Sequence, residues 1–359
     1  MASTSIRAFI GTNTWRASKG IYTCLFDPVS GSLGEPTLAG ECPSPANLIV
    51  HPSKRFLYAC VGMSTGASGQ FHVTDQGSSP ISAFAVEGAT LRPLNTVSAG
   101  GILPTHGTVD RTGRNLMLSC YQSGLSVVFR LNEDGSIGER TAELWSPTMT
   151  GPQRSKAHPH ITVLSKNERF AVIAELSTDQ CVVYRFDAGS GSMTFHHAAS
   201  TPAHAGPRHF AFHPSYRFGY SSNEHGGSVT AFSWDEETGH LNTLQTAPSL
   251  PADFTAKNRV SDIRVHPSGK FVYAANRGHE TLAIFRVDDQ TGLLTPAGYA
   301  STAGRRIWAI TIDPTGTWMI LPHVDTDNVV VFGIDQETGA LKPAGHEIKM
   351  SAPSHVALL

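Results

Sequence analysis

A short two-strand pattern occurs seven times along this chain of 359 residues. Each copy consists of an apolar strand, a polar turn with Asp or Glu and Gly, and an apolar residue that opens the next strand. These opening residues lie 46 to 58 residues apart, and they are Leu33, Leu91, Ile137, Met193, Leu241, Leu294 and Leu341. A period of this length indicates a repeat protein with one supersecondary unit in each repeat.

A second pattern lies between the copies of the first. It is an apolar strand, a turn that often begins with His-Pro or Asp-Pro, and another apolar strand, as in 48–58 with its turn at His51. Each repeat therefore holds four short strands rich in Val, Ile, Phe and Tyr, and no stretch has the pattern of a long amphipathic helix. Four-stranded units at this period predict an all-β fold, namely a β-propeller.

The two chain ends indicate how the ring of blades closes. The N-terminal stretch 7–38 supplies three strands of a blade without an innermost strand, and the C-terminal stretch 355–359 resembles that missing strand. One blade shared by both ends closes the ring and hides strand edges. We therefore expect a single domain, 1–359, that is a seven-bladed β-propeller with four-stranded blades.

Composition excludes several classes of partner. The 27 Lys and Arg residues and 29 Asp and Glu residues give a formal charge of −2, so neither nucleic acid nor an anionic membrane is expected as partner. No apolar run approaches the roughly 18 residues of a membrane span, and the N-terminus lacks a signal-peptide pattern. The 5 cysteines are scattered and lack C-x-x-C spacing, which fits reduced thiols. We expect a cytoplasmic protein.

The strand order within a blade decides which residues meet. If the His-Pro turn joins the innermost strand to the second, the opposite face collects the starts of innermost strands and the ends of second strands. We call this the mouth face. The candidate site residues on it are His106, His158, His160, Glu175, Arg208, His209, Glu224, Asn276, Arg277 and His323. Asn13, Asn47, Asp262 and His355 fall on it too, and so do the extra residues of the three longest repeats, at 62–80, 145–158 and 246–260.

The residue types on the mouth face indicate acid–base chemistry on an anion. Arg208 and Arg277 suit an anionic ligand, because a guanidinium offers a planar fork of donors. Glu224 is either a proton-transfer group or the ion-pair partner of these arginines. His158 and His160 form His-x-His on a strand, so we expect their side chains to share one face, which suits a metal site, acid–base catalysis or plain hydrogen bonding. The histidines of the opposite face, His51, His213 and His266, are expected to stabilise turns.

Several motifs of other chemistries are ruled out by context. The Gly-x-Ser-x-Gly sequence at 62–66 lies in a Gly/Ser-rich loop with no helix after it, so it does not fit a nucleophile elbow. No Gly-x-Gly-x-x-Gly opens a helix, and no Gly-rich phosphate loop with Lys is present. We therefore expect no cofactor.

Three segments resemble one known family. They are 206–214 (Gly-Pro-Arg-His-Phe-Ala-Phe-His-Pro), 222–224 (Ser-Asn-Glu) and 272–279 (Val-Tyr-Ala-Ala-Asn-Arg-Gly-His), and they are similar to the seven-bladed propeller lactonases. That family includes bacterial 6-phosphogluconolactonases and fungal carboxy-cis,cis-muconate cyclases. The resemblance implies a metal-independent enzyme whose site falls on His160, Arg208, Glu224 and Arg277. The chain departs from the family pattern at 175–177 (Glu-Leu-Ser) and 322–323 (Pro-His), both on the mouth face.

The resemblance and the residue chemistry together favour a lactone hydrolase of carbohydrate metabolism that acts on an anionic sugar-acid lactone. In this interpretation His160 or Glu224 transfers protons, Arg208 stabilises the oxyanion or a carboxylate, and Arg277 holds the acidic tail. The substrate-binding candidates are His106, His158, Glu175, His209, Asn276 and His323. Three alternatives stay open: a muconate-type lactonizing cycloisomerase, a non-catalytic ligand-binding propeller, and a metal-dependent hydrolase built on His158, His160, His209 and Glu224.

Overall fold

The computed structural model describes residues 5–65, 70–71 and 77–359. It contains seven four-stranded antiparallel sheets, or blades, and a separate two-stranded hairpin. In each blade the innermost strand is given first. Blade 1 contains β30 (Pro353–Leu358), β1 (Ile6–Thr12), β2 (Gly20–Phe26) and β3 (Thr37–Glu41). Blade 2 contains β4 (Pro45–Val50), β5 (Phe56–Val61), β8 (Pro80–Glu87) and β9 (Thr90–Ser98).

The next blades follow the chain without interruption. Blade 3 contains β10 (Pro104–Val109), β11 (Asn115–Cys120), β12 (Leu125–Leu131) and β13 (Ile137–Trp145). Blade 4 contains β14 (Pro159–Leu164), β15 (Phe170–Glu175), β16 (Gln180–Asp187) and β17 (Ser192–Ser200). Blade 5 contains β18 (Pro207–Phe212), β19 (Phe218–Asn223), β20 (Ser228–Asp235) and β21 (His240–Pro248).

The last two blades are built in the same way. Blade 6 contains β22 (Arg259–Val265), β23 (Phe271–Arg277), β24 (Thr281–Val287) and β25 (Leu294–Ser301). Blade 7 contains β26 (Thr311–Ile312), β27 (Trp318–His323), β28 (Asn328–Ile334) and β29 (Leu341–Lys349). The small hairpin pairs β6 (Met63–Thr65) with β7 (Gln70–Phe71), and 3₁₀ turns occur at Tyr121–Ser123 and Gly151–Lys156.

The ring closes as the sequence predicts. β30 is the innermost strand of blade 1 and pairs antiparallel with β1, with Ala8 opposite Leu358 and Ile10 opposite Val356. The predicted seven-bladed, all-β architecture with one blade built from both chain ends is therefore confirmed. The predicted long loop at 62–80 lies partly outside the described residues.

The apolar core is divided among the seven junctions between neighbouring blades. Each of the seven apolar clusters draws its side chains from two adjacent blades. At the junction of blades 7 and 1, for example, Val331 packs in one cluster with Ile10 and Val356. Because every blade buries both of its faces against neighbours, the second strands β5 and β11 are buried at every position, whereas the outermost strands β13 and β17 consist mostly of half-buried and exposed residues.

Side chains on the face opposite the mouth tie neighbouring blades together. Nε2 of His51, His213 and His266 lies 2.9, 3.0 and 2.8 Å from a carbonyl oxygen of the next blade, in each case that of a glycine. Nδ1 of each ring contacts the Ser two residues later. At Gly113 a Cβ would approach His51 Nε2 to 2.4 Å, so the contact needs glycine there. The expected turn-stabilising role of these histidines is confirmed.

Two further observations concern the chain as a whole. The five cysteines are buried and free of disulfide bonds. Within the described ranges, no helix has both the length and the apolar character that a membrane span requires.

Candidate active site

A cavity of about 190 Å³ opens on the mouth face and is lined by side chains from all seven blades or the segments that enter them. Apart from Arg264, which lies near the end of β22, the lining comes from the starts of innermost strands and from the ends of second strands or the residues next to them, as expected from the strand order. Of the predicted site residues, the cavity brings together His160, Arg208, His209, Glu224 and Arg277.

Bulges at the entrances of the innermost strands aim these side chains. Pairing with the second strand slips by one residue between Pro159 and Ile161 in blade 4, and between Pro207 and His209 in blade 5. Comparable slips occur at the same end of the innermost strands of blades 1, 2, 3 and 6. In a regular strand neighbouring side chains point to opposite faces. The bulge lets the consecutive residues Arg208 and His209 both line the cavity.

Three arginines converge on one carboxylate in the cavity wall. Glu224 Oε2 lies 2.9 Å from Arg208 Nε, and Oε1 lies 2.8 Å from Arg259 Nη1 and 3.2 Å from Arg277 Nη2. Arg208 also donates from Nη1 to the carbonyl oxygen of Ser261. The side chains of Arg208 and Glu224 are nearly inaccessible to solvent, at 9% and 7% exposure. We call these four residues the arginine cluster.

The charges of this cluster determine its protonation. Burial raises the pKa of Glu224, but the guanidiniums of Arg208, Arg277 and Arg259 outweigh burial and lower that pKa to about 2. Burial and the charge of Arg208 lower the pKa of Arg277 to about 10. At neutral pH the cluster therefore holds three cations and one carboxylate. This geometry favours the ion-pair interpretation of Glu224, because a carboxylate with so low a pKa is not a proton donor near neutral pH.

Beside the arginine cluster, His209 is paired with a buried carboxylate. His209 Nδ1 lies 2.7 Å from Asp262 Oδ1, and the Asp262 side chain has no solvent exposure. Asp262 Oδ2 lies 3.2 Å from Arg264 Nη2 and accepts a hydrogen bond of 2.7 Å from the Ile310 backbone N–H. Burial raises the pKa of Asp262, and the charge of Arg264 and the contact with His209 bring it well below its usual range.

His160 lies against His209, with 5.0 Å between ring centroids. Its Nδ1 is buried and has no hydrogen-bond partner among the described residues. Burial, followed by the charge of Arg208, lowers the pKa of His160 well below its usual value. The ring is therefore neutral at pH 7 and can accept a proton or a hydrogen bond from a ligand.

The remaining predicted binding residues do not line the cavity. Glu175 Oε1 accepts hydrogen bonds from the backbone N–H groups of His158 and Ser177, so it fixes the turn after β15. His158 itself is half-buried and stacks on Tyr121, a cavity residue, at 4.4 Å between centroids. His158 and His160 were predicted to share one strand face. Both rings contact Tyr121, but only His160 lines the cavity.

The last three predicted residues lie behind the cavity wall. Asn276 donates to the Ser249 carbonyl oxygen and accepts from the Ser249 hydroxyl and the Asn258 amide, so it anchors the segment between β21 and β22 that leads to Arg259. His106 packs behind His209 at 5.8 Å between centroids. His323 is fully buried, and burial lowers its pKa to about 4.

Several residues at the site have no role assigned from the sequence. Arg259 and Arg264 were missed, as was Tyr121, and Asp262 was placed on the mouth face without a function. The position of Arg259 at the end of a long mouth-face loop was an available signal for it. Ionisable residues at alternate positions of an inner strand, Asp262 and Arg264, were another.

A metal site was one of the open alternatives. Within the described part of the chain, no three His, Cys, Asp or Glu side chains are grouped so that they could hold a metal ion. The side chains of the cavity offer cations to an anion and neutral histidines to a proton.

Comparisons with known proteins agree with this architecture. Residues 7–358 match the family model described as "Lactonase, 7-bladed beta-propeller". The chain is 30% identical over 304 residues to a 6-phosphogluconolactonase of Bacillus subtilis, covering 82% of each chain. It is 30% identical over 277 residues to one of Pectobacterium carotovorum, covering 76% of each. A crystal structure of a Lactobacillus plantarum protein superposes with a TM-score of 0.88 at 26% identity, covering 99% of this chain and 100% of that one. The chain belongs to the seven-bladed β-propeller lactonase family.

Proposed function

We propose that this protein hydrolyses the lactone of an anionic sugar acid, such as a 6-phosphogluconolactone, in the mouth-face cavity. The observation that carries the proposal is the charge of the arginine cluster. Three guanidiniums surround one carboxylate, which leaves an excess of two positive charges in a largely buried wall. A phosphate monoester carries about −1.5 to −2 at pH 7, so its charge matches that excess.

Lactone hydrolysis requires three groups that the cavity contains. A base must take a proton from water, a cation must stabilise the tetrahedral oxyanion, and a cation must hold the acidic tail. The neutral rings of His160 and His209 can serve the first requirement. In this proposal Arg208, the most buried of the three arginines, stabilises the oxyanion, and Arg277 with the exposed Arg259 holds the tail. No step requires a metal ion.

The protonation of the cavity favours hydrolysis over lactonization. Forming a muconolactone requires an acid that protonates the developing carbanion. Burial lowers the pKa of His160 and of His209, and Glu224 has a pKa of about 2, so these groups are unprotonated at neutral pH. Unprotonated groups suit a reaction that starts with a base. The relatives named 6-phosphogluconolactonase support the same choice.

A panel of substrates tests the reaction class. The purified protein would be incubated with sugar lactones, phosphorylated sugar lactones and muconates, and acid release and ultraviolet absorbance would be followed against the uncatalysed rate. We expect accelerated acid release from a phosphorylated lactone and no cyclisation of muconates. Cyclisation without lactone hydrolysis would assign the cycloisomerase reaction, and no turnover of any compound would favour a non-catalytic propeller.

Replacing Arg277 by Ala is expected to lower kcat/KM selectively for anionic substrates. The change removes a charge-assisted contact that is typically worth about 1.5–3 kcal/mol, so kcat/KM for a phosphorylated lactone should fall about ten- to hundred-fold. A neutral lactone should be affected much less. The matched control is Arg305→Ala, an exposed arginine outside the cavity lining, which should leave both values unchanged. An equal effect of Arg277→Ala on both substrates would show that Arg277 does not hold the anionic group.

A further inference from the structure

We propose that His209 is the general base of this site and that Asp262 is the residue that positions it. The inference rests on the proposed hydrolase function and assigns its proton-transfer step. It gives His209 a direct role in the reaction rather than in substrate binding alone.

Asp262 is surrounded by hydrogen-bond donors. Its side chain is fully buried, at the middle of β22, and both oxygens are held by donors. Oδ1 accepts from the His209 ring at 2.7 Å and from the Ile263 backbone N–H at 2.8 Å, while Oδ2 accepts from Ile310 N–H at 2.7 Å. Arg264 Nη2 adds a charge at 3.2 Å from Oδ2. A carboxylate fixed by donors on both oxygens can orient the one ring that it contacts.

The contact with Asp262 fixes the tautomer of the His209 ring. An ionised carboxylate only accepts hydrogen bonds, so the neutral His209 ring must carry its proton on Nδ1. The lone pair of the neutral ring then lies on Nε2. Nε2 has no hydrogen-bond partner among the described residues, and it is accessible to solvent. His209 lines the cavity. The ring is therefore prepared to take a proton from a molecule in the cavity.

The other two histidines of the cavity lining, His160 and His355, are held less firmly than His209. His160 contacts no carboxylate, and its buried Nδ1 is unpartnered, so nothing in the described structure fixes its tautomer. In His355, Nδ1 faces the backbone N–H of Leu48 at 3.4 Å, a long contact. Among these three rings, His209 has the geometry in which a buried carboxylate stabilises the imidazolium that forms after proton transfer.

The reaction balances with this assignment. Nε2 of His209 takes one proton from a water molecule as the water oxygen attacks the lactone carbonyl carbon, and the carbonyl π electrons move to its oxygen. The oxyanion lies against a guanidinium of the arginine cluster. When the oxyanion re-forms the carbonyl, the bond to the ring oxygen breaks, and the proton on Nε2 passes to that oxygen. One lactone and one water yield one hydroxy acid, and His209 returns to its neutral form.

The charge around His209 determines the pH dependence. The groups that face the ring are Asp262, Arg208, Arg264, His106, His160 and His355. Burial keeps the pKa of His209 below its usual value, with Asp262 acting in the opposite direction. The activity should therefore fall on the acid side as the ring gains a proton. Removing the Asp262 charge disfavours the imidazolium, so it should move that acid limb to lower pH.

The test measures turnover and binding separately in His209→Gln and Asp262→Asn. On the phosphorylated lactone that the parent hydrolyses best, we expect kcat of His209→Gln to fall about 10²–10⁴-fold. The affinity for 6-phosphogluconate, measured by calorimetry, should change less than about threefold, because the arginine cluster is intact. Asp262→Asn should lower kcat and move the acid limb to lower pH, which a purely structural role would not do. The control is His213→Gln, which removes an inter-blade contact far from the cavity and should leave kcat and the pH profile unchanged.

The outcomes separate this inference from the proposed function. A parent protein that hydrolyses no lactone overturns both. A parent that hydrolyses a lactone while folded His209→Gln keeps its kcat overturns the assignment of His209 alone. An Asp262→Asn protein that folds and keeps the parent pH profile overturns the positioning role of Asp262. If Asp262→Asn does not fold, His209→Gln decides the proposal.

Discussion

A chain that lacks its last seven residues, 353–359, is expected not to fold. These residues form β30, which pairs with β1 and packs against β4 and β27. Their loss would remove Val356 and Ala357 from the apolar junctions on both sides of blade 1 and would expose the edge of β1. The lost hydrogen bonds and apolar burial sum to at least about 5 kcal/mol, which is comparable with the whole free energy of unfolding of a typical protein.

Circular dichroism and thermal melting of the truncated protein measure this effect. Two point variants provide a milder test and its matched control: valine is replaced by alanine at a buried site in β30 and at an exposed site elsewhere. Val356→Ala, at 1% exposure, should lower the free energy of unfolding by about 1–3 kcal/mol. Val29→Ala, at 75% exposure, should change it by less than about 0.5 kcal/mol. A truncated protein with the melting temperature of the parent would disprove closure of the ring by β30.

Replacing Glu224 by Gln is expected to destabilise the protein by about 3 kcal/mol at neutral pH. The carboxylate is buried among Arg208, Arg259 and Arg277, and its removal leaves three cations without their common counter-ion. The magnitude follows from the pKa of Glu224, which is about 2 in the folded protein and about 4.3 in an unfolded chain.

The pH dependence of that destabilisation has a definite sign. Because folding lowers the pKa of Glu224, the stabilisation is fully present above pH of about 4.3 and is lost as the pH falls toward about 2. Denaturant unfolding of parent and variant should therefore converge as the pH falls through this window. The control is Glu237→Gln, whose carboxylate is 82% exposed at 3.5 Å from Arg169, and it should have little effect. A constant difference between parent and Glu224→Gln from pH 7 to pH 2 would contradict the ion-pair assignment.

The architecture could be predicted from the sequence because local, repeated patterns determine it. An acidic residue and a glycine, such as Asp288 and Gly292, mark each outer hairpin. The missing innermost strand of the N-terminal stretch 7–38 and the strand-like stretch 355–359 indicate the closure. The mouth face followed from the strand order alone. Arg208, Glu224 and Arg277 occupy equivalent ends of strands, so the strand order also predicted that they would meet.

The pairing of side chains within the site could not be predicted in the same way. Strand alternation places Arg208 and His209 on opposite faces, and the slip in pairing at Pro207 that brings both to the cavity depends on the partner strand. The contact of His209 with Asp262 joins two blades 53 residues apart in sequence. The third cation on Glu224, Arg259, is the first residue of β22, and the path of the segment that leads to it is fixed by Asn276 and Ser249. These contacts depend on tertiary packing and not on local pattern.

The anion-selective site is tested most directly by one ratio. It is kcat/KM for a phosphorylated glucono-δ-lactone divided by kcat/KM for the unphosphorylated lactone. Both compounds share the scissile ester, so the ratio isolates the contribution of the anionic group. With at least one charge-assisted contact of about 1.5–3 kcal/mol to the arginine cluster, the parent protein should show a ratio of about 10 or more. Because part of the attraction is screened by salt, the ratio should decrease as ionic strength rises. A ratio near one at low salt would contradict an anion-selective lactonase site built on Arg208, Glu224, Arg259 and Arg277.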